Sequence, residues 1–184
     1  VWIGTYNGGI NIYDKYINQF RLYQHREGGE QGLSESRVFA IYENEEGDVW
    51  VGTDGGGLDY VDHIFDKEGN IVSTYYDKSK RAFQNQEVWS IISNEDGKLW
   101  VGTIGDGLYL FDEVTKELKN WRKNSNLSSS ITDDSIYAMK LDSRGVLWIG
   151  TDRGINAFDR ETEEFISYQI NPEDRRVFSS NTVL

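Results

Sequence analysis

The sequence predicts an all-β fold, and three observations lead there. One motif recurs four times, as Trp2-Ile3-Gly4-Thr5, Trp50-Val51-Gly52-Thr53, Trp100-Val101-Gly102-Thr103 and Trp148-Ile149-Gly150-Thr151, at steps of 48, 50 and 48 residues. A fixed period of that length, carrying strand-forming residues, marks a propeller or solenoid array. The composition suits strands joined by tight turns, with 14% aromatics, 19 glycines and a single proline. No window carries apolar residues at helical spacing over three turns. The best helical stretch, Glu113 to Trp121, falls where the other copies carry a strand. Four strands in each repeat make one propeller blade. The expected architecture is a β-propeller fragment of about four blades, each of four antiparallel strands.

The strands are named A (inner), B (the Trp strand), C and D (outer). Strand B is β-branched and aromatic, as in Val49-Trp50-Val51-Gly52-Thr53, which favours extended backbone. Its glycine, at Gly4, Gly52, Gly102 and Gly150, signals close approach of a neighbouring strand or an unusual backbone angle. Strand C follows a glycine turn and ends on Asp in each copy: Asp14, Asp62, Asp112 and Asp159. That Asp is expected to start the next turn through its side chain. Strand D carries two bulky residues three apart, Phe20 and Tyr23, Val72 and Tyr75, Leu118 and Trp121, Phe165 and Tyr168. Such loose patterning fits an edge strand half in solvent. An insertion from His63 to Asn70 reads as a longer loop.

Strand A runs within Leu33 to Ile41, Phe83 to Ile91, Ile131 to Met139 and the shorter Phe178 to Leu184. Ala40, Ser90 and Ala138 keep one slot small, which suits a crowded inner strand. Asn-, Asp- and Gly-bearing turns lead from strand A back to strand B. The whole chain, 1–184, is expected to be one partial propeller. Strands B, C and D of a first blade fill 1–24, whole blades fill 33–76, 83–122 and 131–169, and a further inner strand starts at 178–184. A small twisted sheet cannot dry both faces alone and needs a neighbouring sheet. Trp2, Trp50, Trp100 and Trp148 are the expected plugs between blades. Burying one such side chain contributes on the order of 2–3 kcal/mol.

Composition excludes several function classes. The formal net charge of −12 repels nucleic acid phosphates and anionic lipid surfaces, and no Lys/Arg cluster offsets it locally. With no cysteine, disulfides and thiolate metal sites are ruled out. No apolar run reaches the roughly 18 residues that span a bilayer, so direct membrane insertion by this segment is not expected. The sequence opens inside a motif with no leader pattern, which is expected of a piece of a longer protein.

Catalytic and metal signals are weak. Asn94-Glu95-Asp96-Gly97 has carboxylates and a glycine but not the alternating ligand spacing of a calcium loop. His25 and His63, the two histidines, read as surface loop residues far from any metal-ligand spacing. Ser128-Ser129-Ser130 lies in no nucleophile elbow, no carboxylate pair stands out, and Gly55-Gly56-Gly57 leads into a strand rather than a helix. No catalytic residue, metal ligand or cofactor is therefore assigned.

What remains is the propeller's own geometry, in which ligands meet the mouth built from B–C turns and D–A connections. Tyr6, Asn7, Asp54, Ile104, Asp152 and Arg153 occupy the turns; His25, Arg26, Lys80, Arg81, Asn124, Ser125 and Asn126 occupy the connections. Arg37, Glu87 and Ser135 share one slot just before strand A and differ in charge. Variation at a fixed slot is what a binding surface on a repeat scaffold shows, although exposed loops also vary without function. The ligand-binding candidates are Arg37, Glu87, Ser135, Tyr6, Arg153 and Arg81. Aromatic faces with amide and carboxylate edges suit sugars.

These residues bear a family resemblance. The unit Asp/Glu-x-x-Gly-x-Leu/Val-Trp-Ile/Val-Gly-Thr-x-x-Gly-Gly-Leu/Ile-x-x-Phe/Tyr-Asp resembles the two-component regulator propeller repeat. Lys98 to Asp112 is its cleanest copy, and Val146 to Thr151 is close behind. The resemblance implies a non-catalytic sensor, the periplasmic part of a membrane-bound hybrid two-component histidine kinase of Bacteroides-like bacteria. Such sensors recognise oligosaccharides and regulate transcription of glycan-utilisation genes. The implied partners are an oligosaccharide, the remaining blades of the same protein and a second copy in a homodimer. Seven blades, the family's number, would need about 340 residues at this period. The family has no fixed ligand motif, so no binding residue carries over. The rival readings are a protein–protein interaction scaffold without a small ligand, and an enzyme on the same fold.

Overall fold

A computed structural model describes residues 1–14, 19–25, 32–65, 71–76, 82–94, 96–169 and 182–183. The chain divides into two compact units, Val1–Val88 and Trp89–Leu184. In the first, β1 (Trp2–Thr5), β2 (Gly9–Asp14) and β3 (Gln19–Tyr23) form one sheet, and β4 (Val38–Glu43), β5 (Val49–Thr53), β6 (Gly57–Phe65) and β7 (Ile71–Tyr76) form another. Strand β8 (Val88–Ser93) starts at the boundary and joins β9 (Lys98–Thr103), β10 (Leu108–Asp112) and β11 (Leu118–Trp121). The last sheet holds β12 (Ile136–Leu141), β13 (Leu147–Thr151), β14 (Gly154–Phe158) and β15 (Phe165–Tyr168). Each sheet is a meander in chain order, and the described residues include no helix. The fold is an all-β propeller fragment. The first sheet carries strands B, C and D, and the other three carry A to D.

The registers repeat with the sequence. Trp2 lies opposite Ile12, Trp50 opposite Tyr60, Trp100 opposite Leu110 and Trp148 opposite Ala157. The motif threonine closes the B–C turn by donating its Oγ hydrogen to a glycine carbonyl: Thr5 to Gly9 at 2.8 Å, Thr53 to Gly57 at 3.1 Å and Thr103 to Gly107 at 2.8 Å. The fourth turn is one residue shorter, yet Thr151 still reaches the carbonyl of Gly154 at 3.0 Å. Where strand B has both neighbours it is dry, most of all β5, with Val49 to Thr53 all buried. This follows from its place between strands A and C, under a neighbouring sheet.

The glycine of strand B marks where the next inner strand arrives. A Cβ added at Gly4 would meet Val38 Cγ1 at 3.0 Å. At Gly52 it would lie 2.7 Å from Val88 Cγ1, at Gly102 2.6 Å from Ile136 Cγ2, and at Gly150 2.9 Å from Val183 Cγ1. One β-branched residue therefore seats on each glycine, at the start of strand A in three copies and as Val183 in the fourth. Two apolar clusters form around these seats. Ile10, Leu33, Val38, Val49, Val51 and Val61 make one, with Trp2, Tyr23 and Ile41 against it. The other gathers Trp100, Leu108, Ile131, Ile136, Met139, Leu147, Ile149, Phe158 and Phe165.

The indoles divide into two kinds. Trp50 and Trp100 are buried, whereas Trp2 and Trp148 are half-buried. Trp100 is an inter-blade plug, 5.5 Å from the ring of Phe158 on the following sheet and 5.5 Å from Trp121 of its own strand D. Trp2 also packs against its neighbouring sheet's cluster. The second bulky residue of strand D stacks on the indole in three copies: Tyr23 on Trp2, Trp121 on Trp100 and Tyr168 on Trp148.

One expectation is corrected. His63 lies in strand β6, not in a loop, because the insertion lengthens the C–D hairpin: His63 pairs with Thr74 and Phe65 with Ile71. The β-branched and aromatic run His63-Ile64-Phe65 favours extension over a loop. As expected, Glu113 to Trp121 makes no helix: a turn closed by Asp112 leads into β11, the strand D of this copy.

Candidate functional site

The lead-in to each inner strand docks on the B–C turn of the preceding sheet. Gly9 donates its amide hydrogen to the Ser36 carbonyl at 2.7 Å, Gly57 to Gln86 at 3.0 Å and Gly107 to Asp134 at 2.9 Å. Loop residues some 30 positions apart are thereby brought together, and two clusters of side chains result, one in each unit.

In the first unit the cluster is built on Arg37. Its guanidinium pairs with Asp54, its Nε donates to Asn7 Oδ1 at 3.3 Å, and its Cζ lies 4.7 Å above the centre of the Tyr6 ring. Tyr6 is 67% exposed, so the other face of its ring is open to a ligand. Two candidates from the sequence, Tyr6 and Arg37, thus meet. Glu87, on the next copy of the same slot, is half-buried. Arg81 lies outside the described residues, as do Arg26 and Lys80. His25 is tied to the strand A lead-in, with its Nδ1 3.0 Å from the Leu33 carbonyl oxygen.

The second unit repeats the theme with other residues. Arg153 pairs through Nε with Asp133 Oδ2 at 3.1 Å, and Asp133 Oδ1 accepts the Ser135 amide hydrogen at 3.0 Å. Two further candidates, Arg153 and Ser135, therefore share one carboxylate. Tyr137 donates its hydroxyl hydrogen to Asp152 at 3.0 Å, and its ring meets Trp89 edge to face at 5.2 Å. Arg122 stands between Asp106 at 3.3 Å and Asp134 at 3.6 Å, and also donates to the Gly105 carbonyl at 2.8 Å. Asn124 and Asn126 build their own turn, with the Asn126 amide donating to Asn124 Oδ1 at 3.0 Å.

Sequence reasoning missed the aromatics Phe39, Trp89 and Tyr137. They follow the residue that seats on the glycine, one per inner strand, and all three are half-buried. In β4 the pairing steps from Val38–Thr53 to Ala40–Gly52, and in β12 from Ile136–Thr151 to Ala138–Gly150. Phe39 and Tyr137 are the extra residues of these bulges, and a bulge re-aims a side chain. In sequence an aromatic recurs two residues after the variable slot three times, but the bulge conceals from alternation where it points. Asp133, Asp134 and Arg122 were missed because only folding sets them against the turns.

The other acidic turns are structural. Asn94 Oδ1 accepts the Trp100 indole hydrogen at 2.7 Å, and Asp142 Oδ2 does the same for Trp148 at 3.1 Å. The Arg144 guanidinium, with the Trp148 indole second, holds the Asp142 carboxyl well below the usual carboxylate range. Asp112 and Asp159 are also shifted down, first by the backbone N–H groups of Thr115 and Glu161, respectively. Each shifted acid caps a turn, as expected of the strand C aspartates. Among the described residues, no three acidic or histidine side chains gather closely enough to hold a metal ion.

Residues 32–55, 82–105 and 130–153 match the family model of the two component regulator propeller. Each stretch spans the strand A lead-in, strand A and the Trp strand. Comparison with curated proteins finds no match. Among solved structures, the chain is similar to the extracellular domain described for a hybrid two component system of B. thetaiotaomicron, BT3049. The TM-score is 0.67 and the identity 26%, over 91% of this chain and 22% of that one. A second such domain from B. thetaiotaomicron, BT4673, aligns at TM-score 0.71 and 20% identity, over 99% of this chain and 22% of that one. Virginiamycin B lyase from Staphylococcus aureus shares the fold at TM-score 0.57 and 15% identity, over 95% of this chain and 53% of that one. The chain thus spans about a fifth of the length of the first two structures.

Proposed function

We propose that this chain, whose residues 32–55, 82–105 and 130–153 match two component regulator propeller repeats, is part of the extracytoplasmic sensor of a hybrid two-component system. In this reading the chain is non-catalytic and takes an oligosaccharide at the loop clusters described above. It works with further blades of the same protein and a second copy, on the periplasmic side of the membrane. The histidine kinase lies elsewhere in the full protein, and its output regulates glycan-utilisation genes. Among the described residues no helix is long and apolar enough to cross a membrane, so any anchor would be supplied outside them.

The observation that carries this reading is the Tyr6–Asn7–Arg37–Asp54 cluster. It offers an open aromatic face rimmed by amide, guanidinium and carboxylate groups drawn from two sheets. A sugar ring stacks its C–H face on such an aromatic, and its hydroxyls bond to the planar polar edge. A ligand bridging two sheets also has the means to bias their arrangement, which any ligand-driven switch requires.

Calorimetry of the 184-residue chain against an oligosaccharide panel tests the proposal. Heat is expected with a subset of the sugars. Tyr6→Ala should weaken binding by about five- to twelvefold, since an aromatic stacking contact of ~1–1.5 kcal/mol is lost. If no sugar binds while a protein partner is captured at the same loops, the interaction-scaffold reading replaces this one. Product formation from any sugar would make the chain an enzyme.

A further inference from the structure

We infer that the oligosaccharide these loops take is uncharged rather than a uronate, sulfate or phosphate ester. The inference rests on the glycan reading above and concerns the arginines. Anionic sugars are held by guanidinium forks, which bind a carboxylate or sulfate through two parallel hydrogen bonds. The described loop clusters contain three arginines, and each already faces carboxylates of the protein. Arg37 is matched by Asp54, Arg122 by Asp106 and Asp134, and Arg153 by Asp133.

The donor edges are used as well. Arg37 Nε serves Asn7, and Arg122 Nη2 serves the Gly105 carbonyl. A ligand anion would have to displace these acids, and two of them are also held by other bonds. Asp133 also accepts the Ser135 amide, and Asp134 accepts the Lys123 amide at 2.6 Å.

The remaining charges point the same way. Asp152 accepts from the Tyr137 hydroxyl, and Glu35 accepts the amide of Ser36. Among the described residues neither acid, nor Glu87, has a lysine or arginine in ion-pair contact. Among the described residues each loop cluster therefore carries more acid than base, in a protein of formal net charge −12. Carboxylates with spare lone pairs are pure acceptors, and sugar hydroxyls are the donors they fit. The paired guanidiniums act as flat polar walls, as Arg37 does over Tyr6.

The test uses the 184-residue chain with named probes. Calorimetry compares maltohexaose and xylohexaose, both uncharged, with hexameric oligogalacturonate. The expected result is binding of an uncharged probe, with oligogalacturonate weaker by at least about tenfold at low salt. The double variant Asp54→Asn, Asp133→Asn frees two guanidiniums and should gain oligogalacturonate binding, with circular dichroism unchanged. Wild-type binding of oligogalacturonate equal to or tighter than the uncharged probes would overturn the inference while leaving glycan sensing intact. If no sugar binds, the glycan reading fails, and titration with inorganic sulfate followed on the arginine Nε–H NMR signals decides the charge question. Absence of saturable shifts at Arg37, Arg122 and Arg153 supports the inference; saturable shifts overturn it.

Discussion

A Cβ built on Gly102 would lie 2.6 Å from Ile136 Cγ2 and 3.1 Å from Ile136 Cβ, closer than packed carbons approach. Gly102→Ala should therefore destabilise the protein by about 1–3 kcal/mol through overpacking. At this chain length each kcal/mol lowers Tm by about 2–4 °C. Adding Ile136→Ala removes the colliding branch, so the double variant should lose less than the two single losses together. Strict additivity in thermal melts would show that this seat is not shared. Asp142 makes a second residue-scale case. Its carboxyl titrates below its ordinary value of 3.8 because Arg144 and the Trp148 indole stabilise the anion. A carboxyl depressed in the folded state contributes stability above the unfolded pKa and loses it as pH falls toward the folded pKa. Stability should thus drop as pH falls below about 4. Asp142→Asn, whose amide oxygen can still accept from the indole, should flatten that drop in denaturant melts at stepped pH.

Between strands, the turns carry more than chain reversal. Asn94 is 3% exposed and its Oδ1 is the acceptor for the buried Trp100 indole. Asn94→Ala strands that N–H and should cost about 1–3 kcal/mol, read as a lowered urea midpoint at unchanged slope. Buried polar bridges also hold the strand A lead-in to strand C: Ser34 donates to Asp59 at 2.7 Å, and Asn156 donates to Thr132 at 2.9 Å. At this scale the sequence was legible wherever one strand's own residues decide its fate. The Trp strands, the glycine turns and the capping role of Asp112 and Asp159 could all be read from local chemistry. His63 was misread because an insertion can lengthen two strands as readily as the loop between them. The bulged aromatics Phe39 and Tyr137 were hidden for a related reason: a bulge breaks the alternation that pattern reading depends on.

For the molecule as a whole, the four tryptophans of the repeated motif look equal in sequence but not in their surroundings. Trp100, 2% exposed, is clamped by Trp121 and Phe158, whereas Trp148 is half-buried against Tyr168. Trp100→Ala should cost about 3–5 kcal/mol, and Trp148→Ala clearly less, as equilibrium unfolding of the two variants will report. The candidate site was only half legible for the same reason. Tyr6 and Arg37 could be nominated singly as variable loop residues. That they meet depends on one sheet docking on the next, and that Asp133 joins Arg153 to Ser135 depends on a strand A lead-in lying beside the B–C turn of its own sheet. The seat of a β-branched side chain on glycine recurs at Gly4, Gly52, Gly102 and Gly150 with one geometry. A joint that is the same at every step keeps no tally of how often it has been used. Splicing in a duplicated repeat would require no new mating surface, so such a chain can lengthen or shorten by whole modules while its loops diverge freely.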